Sequence, residues 1–333
     1  MSDSPSRARL RRPRTTAAAP SHVDLAAVVV SATAEQPQVL VLERKGEDDS
    51  LPSGPLASDH RTLEAGLRAW VERQTTLRLG YVEQLYTFGD IGRLDPAAAA
   101  ATGHDLSIAY LALVHEARPA AQLAASWRDW YACFPWEDWR AGRPPIVDRI
   151  EDRLRHWLAR SAKVAREGRM ERIELAFGFE SGGWNDERVL ERYELLFEAG
   201  LVAEAARQAA GNVATSRTIG GRPMGLDHRR ILATAISRLR GKIKYRPVIF
   251  ELMPDAFTLL DLQRTVEALS GVTLHKQNFR RLVENEGLVE ETGEMSEATG
   301  GRPARLVRFR REVLRERPAA GVRLPGTRRT VPR

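Results

Sequence analysis

The chain has 333 residues, of which 43% are hydrophobic and 29% charged, and a formal net charge of +7. That balance is expected of a soluble, globular protein long enough for two domains, and it excludes extended disorder or a coiled-coil rod over most of the length. No run approaches the roughly 20 consecutive apolar residues of a membrane span. The Arg-rich start is followed by Ala and Pro rather than the apolar stretch of a signal peptide, so no membrane partner and a cytoplasmic protein are expected. The one cysteine, Cys133, excludes an internal disulfide and a Cys-based zinc cluster. Its neighbours Trp130, Tyr131, Phe134 and Trp136 predict a packed thiol.

Charge is unevenly placed. Residues 1–20 carry five basic side chains against one acidic, and residues 313–333 six against one. Between these tails, residues 21–227 hold 24 basic and 31 acidic residues, whereas residues 228–312 hold 16 and 11. An acidic front half and a basic back half predict two jobs in one chain, the back half being the part that meets a polyanion.

In chain order, residues 1–22 read as a disordered basic tail. Two β-rich runs, Leu25 to Val30 and Val39 to Glu43, flank Gln36 and Pro37 and predict paired strands. Leu63, Leu67, Trp70 and Val71 then recur at helical spacing, in a helix ending near Thr75. Tyr81 to Phe88 and Ser107 to His115 are further strands. Residues 23–120 thus form a compact α/β domain. Residues 121–226 read as helical, with one stripe at Ile146, Ile150, Leu154, Trp157 and Leu158 and another at Val189, Leu190, Tyr193, Leu196 and Phe197. This connector is the expected dimerisation region, and Gly220-Gly221 with Pro223 marks a hinge after it.

From Asp227 the pattern becomes helix, helix, turn, helix, β-ribbon. In the first helix Ile231, Leu232, Ala235, Ile236, Leu239 and Ile243 make an apolar face, opposite Arg229, Arg230, Lys242 and Lys244. Thr258 and Asp261 can cap the second, which Ser270-Gly271 breaks. The third runs from about Leu274 to Glu286, burying Leu274, Phe279, Leu282 and Val283 and leaving His275, Lys276, Gln277, Arg280 and Arg281 on another face, with Gly287 as its C-terminal cap. Spacing places Asn278 close to the apolar side, where it either braces the helix or reads a base. Strands Leu288 to Glu291 and Arg302 to Arg310 complete a winged helix-turn-helix over residues 227–312, with Arg302 and Arg305 on the wing and a second disordered basic tail over 313–333. A helix carrying Gln and Arg can enter the major groove, where Arg forks onto guanine and Gln or Asn onto adenine. Lys242, Lys244, His275, Lys276, Gln277, Asn278, Arg280, Arg281, Arg302 and Arg305 are the candidate DNA-binding residues, and double-stranded DNA is the expected partner.

In the front domain, Leu51-Pro52-Ser53-Gly54, a spacer and the helix with Arg68 and Glu72 resemble a Nudix box. Active boxes use an Arg-Glu pair and two adjacent glutamates to hold divalent metals against a diphosphate. Here Ala69-Trp70 and Arg73-Gln74 occupy those places in one register, and in the other Arg68 and Glu72 are recovered but Ala69 and Arg73 stand where carboxylates belong. Metal-dependent hydrolysis is therefore expected to be lost or very weak, with no metal site, no catalytic residues and no required cofactor. Ligand recognition can outlast the chemistry. The run Leu85 to Asp90 followed by Arg93 supplies an aromatic, an Asp and an Arg suited to a nucleotide, so Arg44, Phe88, Asp90 and Arg93 are the candidate ligand residues.

The order of parts resembles the Nudix-related transcriptional regulators of NAD metabolism of the NrtR type, closest to the alphaproteobacterial NadQ branch. The resemblance spans roughly residues 23–312. It is carried by Arg68-Ala69-Trp70-Val71-Glu72 with Gln74-Thr75, by Leu85 to Asp90, and by His228 to Pro254 including Arg240-Gly241-Lys242-Ile243-Lys244-Tyr245. More telling are His275-Lys276-Gln277-Asn278-Phe279-Arg280-Arg281 and Gly301-Arg302-Pro303-Ala304. It implies an α+β fold, with a Nudix-like domain, a helical connector and a winged helix. It further implies a homodimeric repressor on a palindromic operator near NAD biosynthesis genes, tuned by ADP-ribose, NAD or ATP. The alternative is a Nudix hydrolase of a nucleoside diphosphate derivative with a basic targeting module. Thr75-Thr76 departs from the usual Thr-Gly at the end of the helix, which points to a reshaped loop after it.

Overall fold

The structure, a computed structural model, describes residues 22–43, 45–89, 105–115, 124–208, 218–296, 303–316 and 321–322. Its front part is a six-stranded mixed sheet ordered β4-β5-β1-β2-β6, with β3 on β1 beside that path. Strand β1 (His22–Ala32) runs parallel to β5 (Asp105–Leu113) and antiparallel to β2 (Pro37–Leu42) and the short β3 (Ser53–Pro55). β4 (Tyr81–Phe88) closes one edge, antiparallel to β5.

The central strand reads as an unbroken apolar run because both of its faces are buried. Leu25, Ala27 and Val29 face a core shared with Leu67 and Val71 of α1 (Leu63–Thr75). Ala26, Val28 and Val30 face the larger core that continues into the C-terminal helices. Helix α1 starts at Thr62, whose side chain accepts from the Ala65 amide, and its end explains Thr76. Thr76 takes the left-handed cap conformation at φ 62°, and its amide donates to the Glu72 carbonyl. A β-branched residue is an unusual occupant there, yet Thr76 takes the left-handed conformation that glycine would take with ease. Gly54 is required for a different reason: a Cβ at that position would run into the Trp70 indole.

The sheet does not end at residue 120. β6 (Ala125–Asp129) pairs along all of its length with β2, so the stretch read as helical opens with an edge strand. All five of its residues are only partly buried, which leaves no alternation to read. A 3-10 turn, Trp130–Ala132, then carries the chain into helices α2 (Pro145–Ala159), α3 (Lys163–Phe177), α4 (Val189–Glu198) and the short α5 (Ala203–Gln208). Cys133 is 4% exposed, and burial pushes its thiol up to about 11, as a packed thiol requires.

Helix α6 (His228–Tyr245) lies against α4 and also meets β1, β4 and β5, so it is the spine joining the two halves. Beyond a 3-10 turn, Val248–Leu252, come α7 (Leu259–Ser270), α8 (Lys276–Asn285) and the antiparallel ribbon of β7 (Val289–Ser296) and β8 (Ala304–Phe309). Thr258 and Asp261 form a reciprocal capping box at the start of α7, with bonds of 3.1 and 3.0 Å. Gly287 follows α8 at φ 56°. The end of the chain departs from a free tail: Val313 opens helix α9 (Val313–Glu316), and Val322 is fully buried with its amide on the Ile243 carbonyl at 2.9 Å. The remainder of both tails lies outside the described residues.

Candidate nucleic-acid interface and ligand pocket

Helix α8 buries Phe279 and Val283 and exposes His275, at its N-cap, with Lys276, Gln277, Asn278, Arg280 and Arg281. At about 100° per residue, Gln277 and Arg281 point farthest from the buried pair, Arg280 lies to one side of them, and Lys276, exposed at the first turn, stands on that same side nearer the buried pair. Asn278 lies on the other flank and is exposed, so it is not drawn towards the apolar side. The helix projects because α7 and the ribbon hold its inner edge: Leu288 is fully buried, and the Phe257 and Val307 backbones exchange bonds of 2.9 and 2.8 Å.

The wing is less cationic than its sequence suggests. Arg308 sits directly across from Glu290, and its Nε donates to that carboxylate at 2.6 Å. Arg305 pairs with Glu291 at 2.5 Å. All four side chains are exposed, so each pair contributes little to stability, but each occupies an arginine. Arg302 lies outside the described residues.

The basic side chains read on α6 turn inward, onto carboxylates of the rest of the chain. Lys242 donates to Glu83 and, at 2.8 Å, to Tyr81 Oη on strand β4. Lys244 pairs with Asp186 at 2.9 Å and Glu187 at 2.7 Å. Burial works against its charge, and the two carboxylates outweigh that, so its pKa is raised. Arg230 pairs with Glu194 and Asp227. Arg229 is fully buried against Glu204 and the Cys133 carbonyl.

One internal group stands out. Glu137, 1% exposed, receives Arg192 at 2.6 and 2.8 Å and Arg240 at 2.8 Å, both arginines being fully buried. Arg240 Nε also donates to the Leu269 carbonyl at 2.9 Å, and Tyr131 Oη to the Ala268 carbonyl at 2.7 Å. These carbonyls end α7, one turn before Gly271 begins the connection to α8. The Trp139 amide donates to the Gly271 carbonyl at 2.7 Å. Gly271 has φ 73°, and a Cβ on it would collide with the Glu137 carbonyl and crowd Tyr131 and Arg240. The turn before α8 is thus clamped to the segment that leaves the sheet. Sequence reasoning missed this clamp, because residues 137, 192, 240 and 271 share no local pattern.

In the front domain, Phe88 is 2% exposed, with the Arg230 guanidinium 5.2 Å from its ring and Tyr86 edge-on at 5.3 Å. It is a core side chain and offers no stacking face. Tyr86, 60% exposed, is the accessible aromatic of the pair. Arg44, Asp90 and Arg93 lie outside the described residues. A cavity of about 580 Å³ opens among Gly46, Ser50, Ser53, Gly225 and Leu226, with Glu47, Asp48, Arg207 and His228 as its titratable groups. On α1, Arg68 Nε pairs with Glu64 at 2.9 Å and Glu72 with Arg78 at 3.1 Å. Arg73 lies 4.6 Å from the Trp70 ring centre, and the Gln74 amide is bonded to both Ser53 backbone groups.

Residues 249–309 match the family model of the NrtR DNA-binding winged helix domain. Over 86 residues, 26% of this chain, the sequence is 42% identical to the ADPR responsive transcriptional repressor NtrR of Acinetobacter baylyi, and the match spans about a third (34%) of that relative's length. Shewanella oneidensis NrtR, solved with a 27mer DNA, superposes with a TM-score of 0.52 over 87% of this chain and 94% of its own, at 19% identity. A MutT/nudix family protein from Enterococcus faecalis superposes at 0.51 over 88% and 87%, at 16% identity. At these identities the structures establish the fold. Residues 249–309 thus match the winged helix family model, and the chain as a whole shares its fold with the solved Shewanella oneidensis NrtR.

Proposed function

We propose that the chain is a transcriptional repressor of NAD biosynthesis genes, of the NadQ branch, acting as a cytoplasmic homodimer on double-stranded DNA. The observation that carries this reading is helix α8, where one turn of apolar anchorage holds out six polar or basic side chains. Guanidinium and carboxamide groups on one projecting edge suit base edges, and flanking cations suit phosphates.

The sheet domain we read as a sensor and not as an enzyme. A hard divalent ion needs several oxygen ligands. The box helix offers Trp70, Arg73 and Gln74 where carboxylates belong in one register and Ala69 and Arg73 in the other, and Glu72 is engaged by Arg78. These residues do not fit the metals of an active Nudix box. The effector is a nucleotide metabolite, with ADP-ribose first and NAD or ATP next. The cavity lined by Asp48, Arg207 and His228 is its candidate seat, with Arg44 two residues before Gly46, and Tyr86 replaces Phe88 as the aromatic to test. An effector acts only through its different affinity for the DNA-bound and free forms, here by changing the spacing of the two winged helices.

Fluorescence anisotropy of the full chain, on DNA from NAD biosynthesis promoters and its own upstream region at fixed salt, tests this while ADP-ribose, NAD and ATP are titrated in turn. Tight, sequence-specific binding altered by one of them is expected. Weak binding indifferent to sequence and to all three overturns it.

The wing gives a second expectation. Releasing Arg308 and Arg305 by Glu290→Gln and Glu291→Gln should tighten DNA binding. Each arginine that then reaches a phosphate should steepen the dependence of log affinity on log salt by about 0.9. An unchanged slope would show that the ribbon stays off the backbone.

A further inference from the structure

Along α2, Arg149, Arg153, His156 and Arg160 recur at intervals of four, three and four, which puts all four on one face of the helix. At 1.5 Å per residue the stripe is roughly 16 Å long. It does not belong to the ion pairs of this helix: Asp148 and Glu151 are bonded to Arg143 and Arg155. No described residue pairs with Arg149, Arg153 or Arg160. The stripe lines a cavity of about 800 Å³ together with Asp152 and Trp157 of the same helix, Arg169 of α3, Ala199 and Leu201.

Arg169 is held in place. It lies 4.1 Å from the Trp157 ring centre and donates to Ser161 Oγ at 2.6 Å and to Glu198 at 3.3 Å. His156 is oriented as well: its Nδ1 lies 2.7 Å from the Asp152 carbonyl, so that nitrogen donates and Nε2 faces away. Against four guanidiniums the lining carries one carboxylate, Asp152. Like charges at these spacings repel, so a multiply charged anion lying in the cavity relieves a repulsion that the chain alone does not. The C-terminal end of α2 turns its negative pole towards the same space, which disfavours an anion. Arg169 is already balanced by Glu198, but the three guanidiniums of the stripe outweigh that partial charge. Planar guanidiniums favour phosphate oxygens geometrically, and the stripe is several times longer than one phosphate.

We propose that this cavity is a second ligand site, outside both the sheet domain and the winged helix, that takes an oligophosphate chain, inorganic or carried by a nucleoside. It does not depend on the regulatory reading above, since neither α8 nor the front cavity contributes to it.

The test is calorimetric titration of the full chain with inorganic tripolyphosphate, at constant ionic strength in a sulfate background. Parallel titrations use ATP and AMP. Saturable one-to-one binding of tripolyphosphate is expected, with AMP weaker by tenfold or more. The triple variant Arg149→Ala/Arg153→Ala/Arg160→Ala should lose at least tenfold in affinity while its melting temperature stays put. Arg155→Ala, on another face and paired with Glu151, should bind as the parent does. ATP binding tighter than tripolyphosphate would identify a nucleoside-borne chain, and equal binding the phosphate chain alone. No saturable binding, or equal binding by the triple variant, overturns the proposal. So does a triple variant that binds tripolyphosphate normally but loses affinity for promoter DNA, which would make the stripe a track for the DNA backbone.

Discussion

Glu137→Gln is expected to cost the folded chain about 3–5 kcal/mol, the range for breaking a buried ion pair by removing one partner. The carboxylate is the one acidic group that both Arg192 and Arg240 touch, and all three side chains are withdrawn from water. The amide keeps the shape but leaves two guanidiniums facing each other without the charge that holds them. Replacing all three by apolar residues is the usual rescue for such a triad. Here it should fail to restore stability, because the arginines also satisfy buried carbonyls. Arg192 Nη1 serves Ala176 and Asn185, each at 2.9 Å, and Arg240 serves Asp186 and Leu269, each also at 2.9 Å. Each orphaned carbonyl would carry its own desolvation cost. Urea denaturation at constant m-value measures both variants. A loss within about 0.5 kcal/mol for the single change, the range of ordinary surface substitutions, would mean that the triad is not closed in solution.

The same triad shows where the sequence stops being readable. The strands and helices were legible because burial imposes a local period: β1 is apolar throughout since both sheet faces are covered, and α8 repeats Phe279 and Val283 at i and i+4. Thr258 and Asp261 announce a cap because the physics that joins them acts across three residues. Charge carries no such period. Arg229, Arg230, Lys242 and Lys244 look alike in the chain and read together as a cationic face. Their partners Glu204, Glu194, Glu83 and Asp186 come from four separate segments and turn that face inward. The excess of basic residues in the back half therefore overstates what is left for a polyanion, while Lys276, Arg280 and Arg281 of α8 are exposed and form no ion pair among the described residues. Phe88 failed for the complementary reason. An aromatic at a strand end reads equally as core or as stacking platform, and only the packing of α6 across the sheet decides it.

Lys276→Ala and Arg281→Ala should weaken promoter binding in two distinguishable ways, which follow from their positions on α8. Arg281, with Gln277, lies opposite the buried edge formed by Phe279 and Val283, so it reaches deepest into a groove. Its loss should cost about 1–3 kcal/mol on the preferred sequence and relax discrimination at the base pair it reads. Lys276, at the first turn and on the flank, is placed for a phosphate. Removing it should weaken all sequences alike and lower the salt slope by about one. Both side chains are exposed, so neither change should move thermal stability, nor the affinity for a nucleotide measured without DNA. Anisotropy on matched and scrambled duplexes over a salt series separates the two effects. If Arg281→Ala instead weakens every duplex equally, the helix lies across the backbone rather than in the groove. If both variants bind as the parent does, recognition belongs to another element.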